Sequence, residues 1–71
     1  MIRVESSNIL GFDYNKKTWT LTVHFKNGSV YDYQKVEPPT VLDVLLADSV
    51  GSEFNRLIKA QPDRYPYMRV Q

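Results

Sequence analysis

The stretch from Trp19 to Tyr33 leaves this chain little choice of fold. Trp19, Leu21, Val23 and Phe25 alternate with Thr20, Thr22 and His24, and a period of two belongs to a strand with one dry and one wet face. Asn27-Gly28 follows, then Tyr31-Asp32-Tyr33, so the segment reads as a hairpin. Its register can be argued from the side chains. A two-residue Asn27-Gly28 loop would pair Val23 with Asp32 and set a carboxylate in the apolar face. A three-residue Lys26-Asn27-Gly28 loop, with Gly28 left-handed in a bulge, pairs Val23 with Tyr31 and Leu21 with Tyr33. A slip of one residue would send every side chain to the other face, so the three-residue loop is expected. It gathers Thr20, Thr22, His24, Asp32 and Gln34 on the wet face and leaves the tyrosines on the face of Trp19, Leu21 and Val23.

Ile9 to Tyr14 reads as a preceding strand, joined through the polar turn Asn15-Lys16-Lys17-Thr18. A naked three-stranded meander with one apolar face is not stable, so the remaining residues must cover it. Pro38-Pro39 stops the third strand and suits a helix start. Thr40 to Ala47 carries Val41, Leu42, Val44, Leu45 and Leu46, which is too apolar for a helix left in solvent. Ser49 or Ser52 can cap a second helix, whose Phe54, Leu57 and Ile58 share one face. Pro62 ends it, and Arg64 to Val70 is expected to lie extended on the core. The expected architecture is an α+β fold occupying residues 1–71 as one domain. It has a three-stranded antiparallel meander, two C-terminal helices on one face and an extended C-terminal arm.

Composition narrows the chemistry. Seventy-one residues without a cysteine exclude disulfides, thiolate nucleophiles and cysteine-ligated zinc. His24 is the only histidine, so no imidazole metal cluster is expected, and no cofactor either. The net charge of +1 is not that of an obligate nucleic-acid binder. The longest apolar run, Val44-Leu45-Leu46-Ala47, cannot span a bilayer. Met1 to Glu5 lacks the features of a signal peptide, so no membrane association and a cytoplasmic location are expected.

No set of nucleophile, base and orienting group can be assembled. His24 lies beside Thr22 and near Asp32 on the wet face, but no Ser or Cys sits at a sharp turn to be activated. The chain therefore reads as non-catalytic, without a small-molecule substrate. Its basic residues remain. Lys16 and Lys17 lie in the first turn, and antiparallel geometry brings Lys35 to the same sheet end. Arg64 and Arg69 flank Tyr65 and Tyr67. These seven residues could grip a phosphate backbone and stack a base; the competing arrangement packs the arm's aromatics inward and leaves its arginines solvated. Tyr31 and Tyr33 read as core residues with hydroxyls at the rim, because the register sends them to the face the helices should cover. The opposite face of the hairpin carries no aromatic ring, which argues against a sheet platform for RNA bases.

Together the residues resemble the KTSC domain, a family named for its place at the C-terminus of some lysyl-tRNA synthetases. The resemblance runs from about residue 4 to residue 70. It rests on Ser6-Ser7-Asn8-Ile9, Gly11-Phe12-Asp13, Tyr31-Asp32-Tyr33, Ala47-Asp48-Ser49-Val50-Gly51, Phe54-Asn55 and Tyr65-Pro66-Tyr67. The family's central motif falls on Tyr31 and Tyr33, and its helix junction on Ser49, Gly51, Phe54 and Asn55. The sequence departs from the pattern at Lys59, where an arginine commonly stands, and in a longer 60–63 stretch. The resemblance implies a stand-alone bacterial or phage domain that binds RNA. The alternative partner is a protein, as for a small phage protein that docks on a host enzyme. The sequence leaves the oligomeric state open.

Overall fold

The computed structural model describes all of residues 1–71. The hairpin has the expected register: Leu21 faces Tyr33 and Val23 faces Tyr31, between β3 (Thr20–Phe25) and β4 (Val30–Tyr33). Gly28 turns the chain at φ 93°, a conformation that costs other residues and not glycine. Its N–H donates to Phe25 O at 3.0 Å, and the Phe25 N–H donates to Ser29 O at 2.9 Å.

On the other side of β3, β2 (Ile9–Asn15) pairs antiparallel with a bulge between Ile9 and Gly11. The extra residue lets Ile9 and Phe12 both point into the core, where both are fully buried, and it turns Asp13 to the wet face. A two-residue strand, β1 (Ile2–Arg3), pairs with β2. The C-terminal arm supplies β5 (Tyr67–Arg69), antiparallel to β4. The sheet thus has five strands in the order β1-β2-β3-β4-β5, not the three that periodicity showed. β1 and β5 are too short for a period to register.

The helices lie in the chain between β4 and β5. Helix α1 (Pro38–Leu45) opens on its two prolines and buries Val41 and Val44. The helix is covered along one stripe, as so apolar a segment requires, while Leu42 and, at its C-cap, Leu46 stay exposed, at 55% and 80%. Helix α2 (Val50–Phe54) is capped by Ser49, whose Oγ accepts the Ser52 N–H. It continues into a π-helical turn (Asn55–Lys59), closed by an Ala60 N–H to Asn55 O bond of 2.9 Å. Phe54 and Ile58 are fully buried and Leu57 half-buried.

Phe54 sits at the centre of the core. Its ring meets Tyr33 edge-on at 5.2 Å between centroids and Phe12 at 5.9 Å. Around it pack Leu21, Val23, Val36 and Val44. The Tyr14 hydroxyl donates to Val36 O at 2.6 Å, tying β2 to the segment that leads into α1. Trp19 is corrected too. It lies before β3 at φ 56° and is 44% exposed, so it belongs to the turn and not to the dry face of the strand. No helix is long and apolar enough to cross a membrane.

Candidate functional site

The helices do not reach across the whole dry face. β5 extends the sheet beyond them, and its Tyr67 stands opposite Tyr33 while Arg69 stands opposite Tyr31. Side chains opposite one another in an antiparallel pair share a face. Tyr31, Tyr33, Tyr67 and Arg69 therefore lie on the helix-bearing side of the sheet, at its uncovered edge. Tyr33 is buried, Tyr31 half-buried, and Tyr67 is 56% exposed.

The three tyrosine rings touch in a cluster. Their centroids are 6.5 Å apart for Tyr31–Tyr33, 5.6 Å for Tyr33–Tyr67 and 6.0 Å for Tyr31–Tyr67, with interplanar angles of 29°, 32° and 44°. Phe25 meets Tyr31 edge-on at 5.7 Å. Across from the rings, the end of the π-helical turn brings up Lys59, and Pro62 follows. The six residues enclose a groove of about 270 Å3. Burial, and then the neighbouring Tyr31 and Tyr67, push the Tyr33 phenol above its ordinary pKa, so it stays a neutral donor. No acidic residue lines this groove.

The seven nominated binding residues do not converge on one spot. Lys16, Lys17 and Lys35 are exposed at the sheet end where β2 passes to β3 and β4 ends. A Val36 N–H to Trp19 O bond of 2.8 Å holds those two segments together. The Gln34 N–H donates to Pro66 O at 2.8 Å, which starts the arm at that same end. Arg64 stacks over the Tyr65 ring, its guanidinium carbon 5.4 Å from the centroid. Tyr65 itself is only 4% exposed, so it anchors the arm and has no face free for a base. Tyr67 is open, and Arg69 lies further along β5. Phe25, Lys59 and Pro62 were not among the nominated residues. Nothing in the sequence singled them out: Lys59 and the 60–63 stretch that holds Pro62 stand where the chain departs from the family pattern, which counted against a basic site there.

The helix-junction residues form a different feature. Ser49, Gly51, Ser52 and Asn55 face Ser6, Ser7 and Asn8 across a wholly polar hollow. Three of its hydroxyls are engaged within the hollow, those of Ser6, Ser49 and Ser52. Ser6 Oγ donates to Asn8 Oδ1 at 3.1 Å, and Ser49 Oγ donates to Ser52 Oγ at 2.9 Å. A Cβ on Gly51 would stand 2.9 Å from Ser6 Oγ, so glycine is what lets the loop seat on the helix. Ser49 thus caps the helix, Gly51 lets the loop approach and Phe54 fills the core, while Asn55 is exposed at the rim of the hollow. On the wet face, His24 pairs with Asp13 at 2.7 Å. Asp32, expected near it, instead accepts from Thr22 at 2.6 Å.

Known proteins agree with this frame. A crystal structure of a KTSC domain protein from Yersinia pestis superposes with a TM-score of 0.84 at 26% identity, covering 97% of this chain and 93% of the other. A protein of uncharacterised function from Stutzerimonas stutzeri is 35% identical over 69 residues, 97% of this chain and 94% of its own length. A lysine–tRNA ligase of Nostoc punctiforme is 44% identical over 61 residues, 86% of this chain. A second, from Nostoc sp., is 42% identical over 62 residues. The chain spans only 11% of the length of those ligases. The sequence model of the KTSC domain matches residues 5–70, and the chain belongs to the KTSC domain family.

Proposed function

We propose that this chain is a small, non-catalytic binding module for single-stranded RNA, working in the cytoplasm. The observation that carries the reading is the aromatic groove beside unpaired cations at the open edge of the sheet. Exposed rings with nearby basic groups are what sequence-tolerant single-strand binders use: the rings stack on bases and the cations follow the backbone. The occurrence of a similar segment within lysine–tRNA ligases supports the same reading. Arg69 shares the face of the tyrosines, while Lys16, Lys17, Lys35 and Arg64 offer a second group of cations at one sheet end. Binding through about four phosphates should give a log–log salt slope of roughly −3 on single strands. A titration of tRNA and single-stranded RNA at about 150 mM salt tests it. Replacing Arg64 and Arg69 by Ala should flatten the slope by about one to two units without unfolding the domain. Absence of binding at that salt would defeat the reading.

A protein partner is the second reading, and a separate observation favours it. β5 is an edge strand, with Met68 at 62% and Val70 at 50% exposure. Such an edge can accept an added strand from another chain. That reading expects RNA binding only at low salt.

A further inference from the structure

We infer that the groove between the tyrosine cluster and the π-helical turn is a seat for one unpaired nucleobase, laid on Tyr31 and Tyr67 with its phosphate held by Lys59. This inference rests on the single-stranded RNA reading and narrows it to a site and a form of RNA.

Three features of the groove select the ligand. Four of its six lining residues are aromatic, so the preferred guest is a flat ring. Its charge comes from Lys59, which makes no ion pair: the salt bridges of the chain involve only the Met1 amine, His24, Arg56, Asp13 and Glu53. An aromatic box alone would suit a cation; the ammonium of Lys59 reverses that preference and asks for a ring that carries an anion. Size completes the argument. About 270 Å3 falls just under the roughly 300–1,000 Å3 of ordinary ligand pockets, enough for one base and too little for a base pair.

Tyr33 forms the floor of the groove. Its side chain is 96% enclosed, yet its hydroxyl has no hydrogen-bond partner in the chain and keeps solvent contact through the groove. The phenols of Tyr31 and Tyr67 stand open in the same way. A base laid on the cluster would find donors at its edges but no fixed pattern of donors and acceptors, so recognition is of the unpaired state and not of sequence. The π-helical turn fits this use. Its extra residue rotates Lys59 from where an α-helix would hold it, and such turns are frequent at functional sites. An RNA end or loop can present a splayed base to this seat, whereas a continuous duplex cannot.

The test uses a short single-stranded RNA carrying one 2-aminopurine, free or annealed to its complement. The expected result is quenched fluorescence on binding the single strand and little binding of the duplex. Tyr67→Ala should weaken binding by about five-fold or more, as loss of one stacking partner does, and abolish the quench. Lys59→Ala should lower the salt slope by about 0.7. Both residues are exposed, so both variants should stay folded at the temperature of the titration, Lys59→Ala melting with the wild type and Tyr67→Ala only modestly lower. Several results would overturn the inference. In one, the single strand binds without a quench. In another, Tyr67→Ala leaves affinity intact while Lys16→Ala/Lys17→Ala/Lys35→Ala removes it; the RNA reading then survives and the seat does not. Equal affinity for the duplex has the same meaning. Capture of a peptide bearing an aromatic residue beside a carboxylate, with no RNA bound at all, sinks both readings.

Discussion

The two parts of the sheet's dry face differ in one respect that decides their roles. Over β2 and β3, the aliphatic residues Ile9, Leu21 and Val23 meet Phe54 and Ile58, and all five are fully buried. Over β4 and β5, the face is aromatic: Tyr33 is still buried against Phe54, while Tyr31 is half-buried and Tyr67 exposed. Aliphatic chains left in water have nothing to offer a ligand but area. Tyrosines half in water keep a polar tip, a flat face and a fixed ring plane. On the proposed function, this small domain separates stability from recognition within a single face, with Tyr33 and Phe54 in contact at the boundary.

The largest effect should come from breaking the covered part. Phe54 has no exposed surface and meets Phe12, Phe25 and Tyr33. Phe54→Ala should cost roughly 3–5 kcal/mol, close to the whole stability of so small a domain, and leave the protein largely unfolded at room temperature. Wild-type melting of that variant would mean that the helices do not hold the sheet.

A smaller loss should follow at the turn that joins the two parts. Gly28 links β3, under the helices, to β4, at the groove, and its φ of 93° is strained for any other residue. Nothing lies within 4 Å of a Cβ built there, so the penalty is conformational only. Gly28→Ala should lower stability by about 1 kcal/mol in denaturant titration, with RNA affinity unchanged at temperatures where the variant is folded. A loss much larger than this would place hidden contacts at the turn.

The open part should behave in the opposite way. Tyr67 is 56% exposed and touches two other tyrosines, so Tyr67→Ala should cost less than about 1.5 kcal/mol of stability while removing most of the RNA binding. Denaturant melts and titrations on the same preparation check both halves of that statement. If the variant were as unstable as Phe54→Ala, the division between the two parts would be wrong.

The hairpin was legible because it is local: alternation over Leu21, Val23 and Phe25 and a turn containing Gly28 fix the register without reference to the rest of the chain. β5 was not legible. Tyr67-Met68-Arg69 is too short to show a period, and Pro66 directly before it reads as a break in structure. Missing β5 had a consequence for the site. With three strands, the helices suffice to cover Tyr31 and Tyr33, and the tyrosines look like ordinary core. With five, the face is wider than its cover and the same rings become a floor. Tyr67 was legible as a candidate from the basic and aromatic arm alone. Phe25 and Lys59 were not, since only tertiary packing brings β3 and the π-helical turn to the same groove. Trp19 shows the converse error, an apolar residue in phase with the strand that a positive φ turns away from it.

The opposite face of the sheet supplies the last and smallest contrast. Asp13 is held below the ordinary carboxylate pKa, first by its hydrogen bond with His24 and then by one from the Met1 amine. A carboxylate depressed in the folded state adds stability above its unfolded pKa, here about 3.8, and that contribution disappears as pH falls through the folded value. Asp13 is 51% exposed, so solvent screens the pair and its worth is about 0.5 kcal/mol or less. Between neutral pH and pH 3, Asp13→Asn should therefore lose slightly less stability than the wild type, as read by urea titration at each pH. The substitution should not alter RNA affinity at neutral pH, because the pair lies across the sheet from Tyr31, Tyr67 and Lys59. If Asp13→Asn weakened RNA binding at neutral pH, the ligand would be meeting the wet face, and the dry face would lose its claim to both roles.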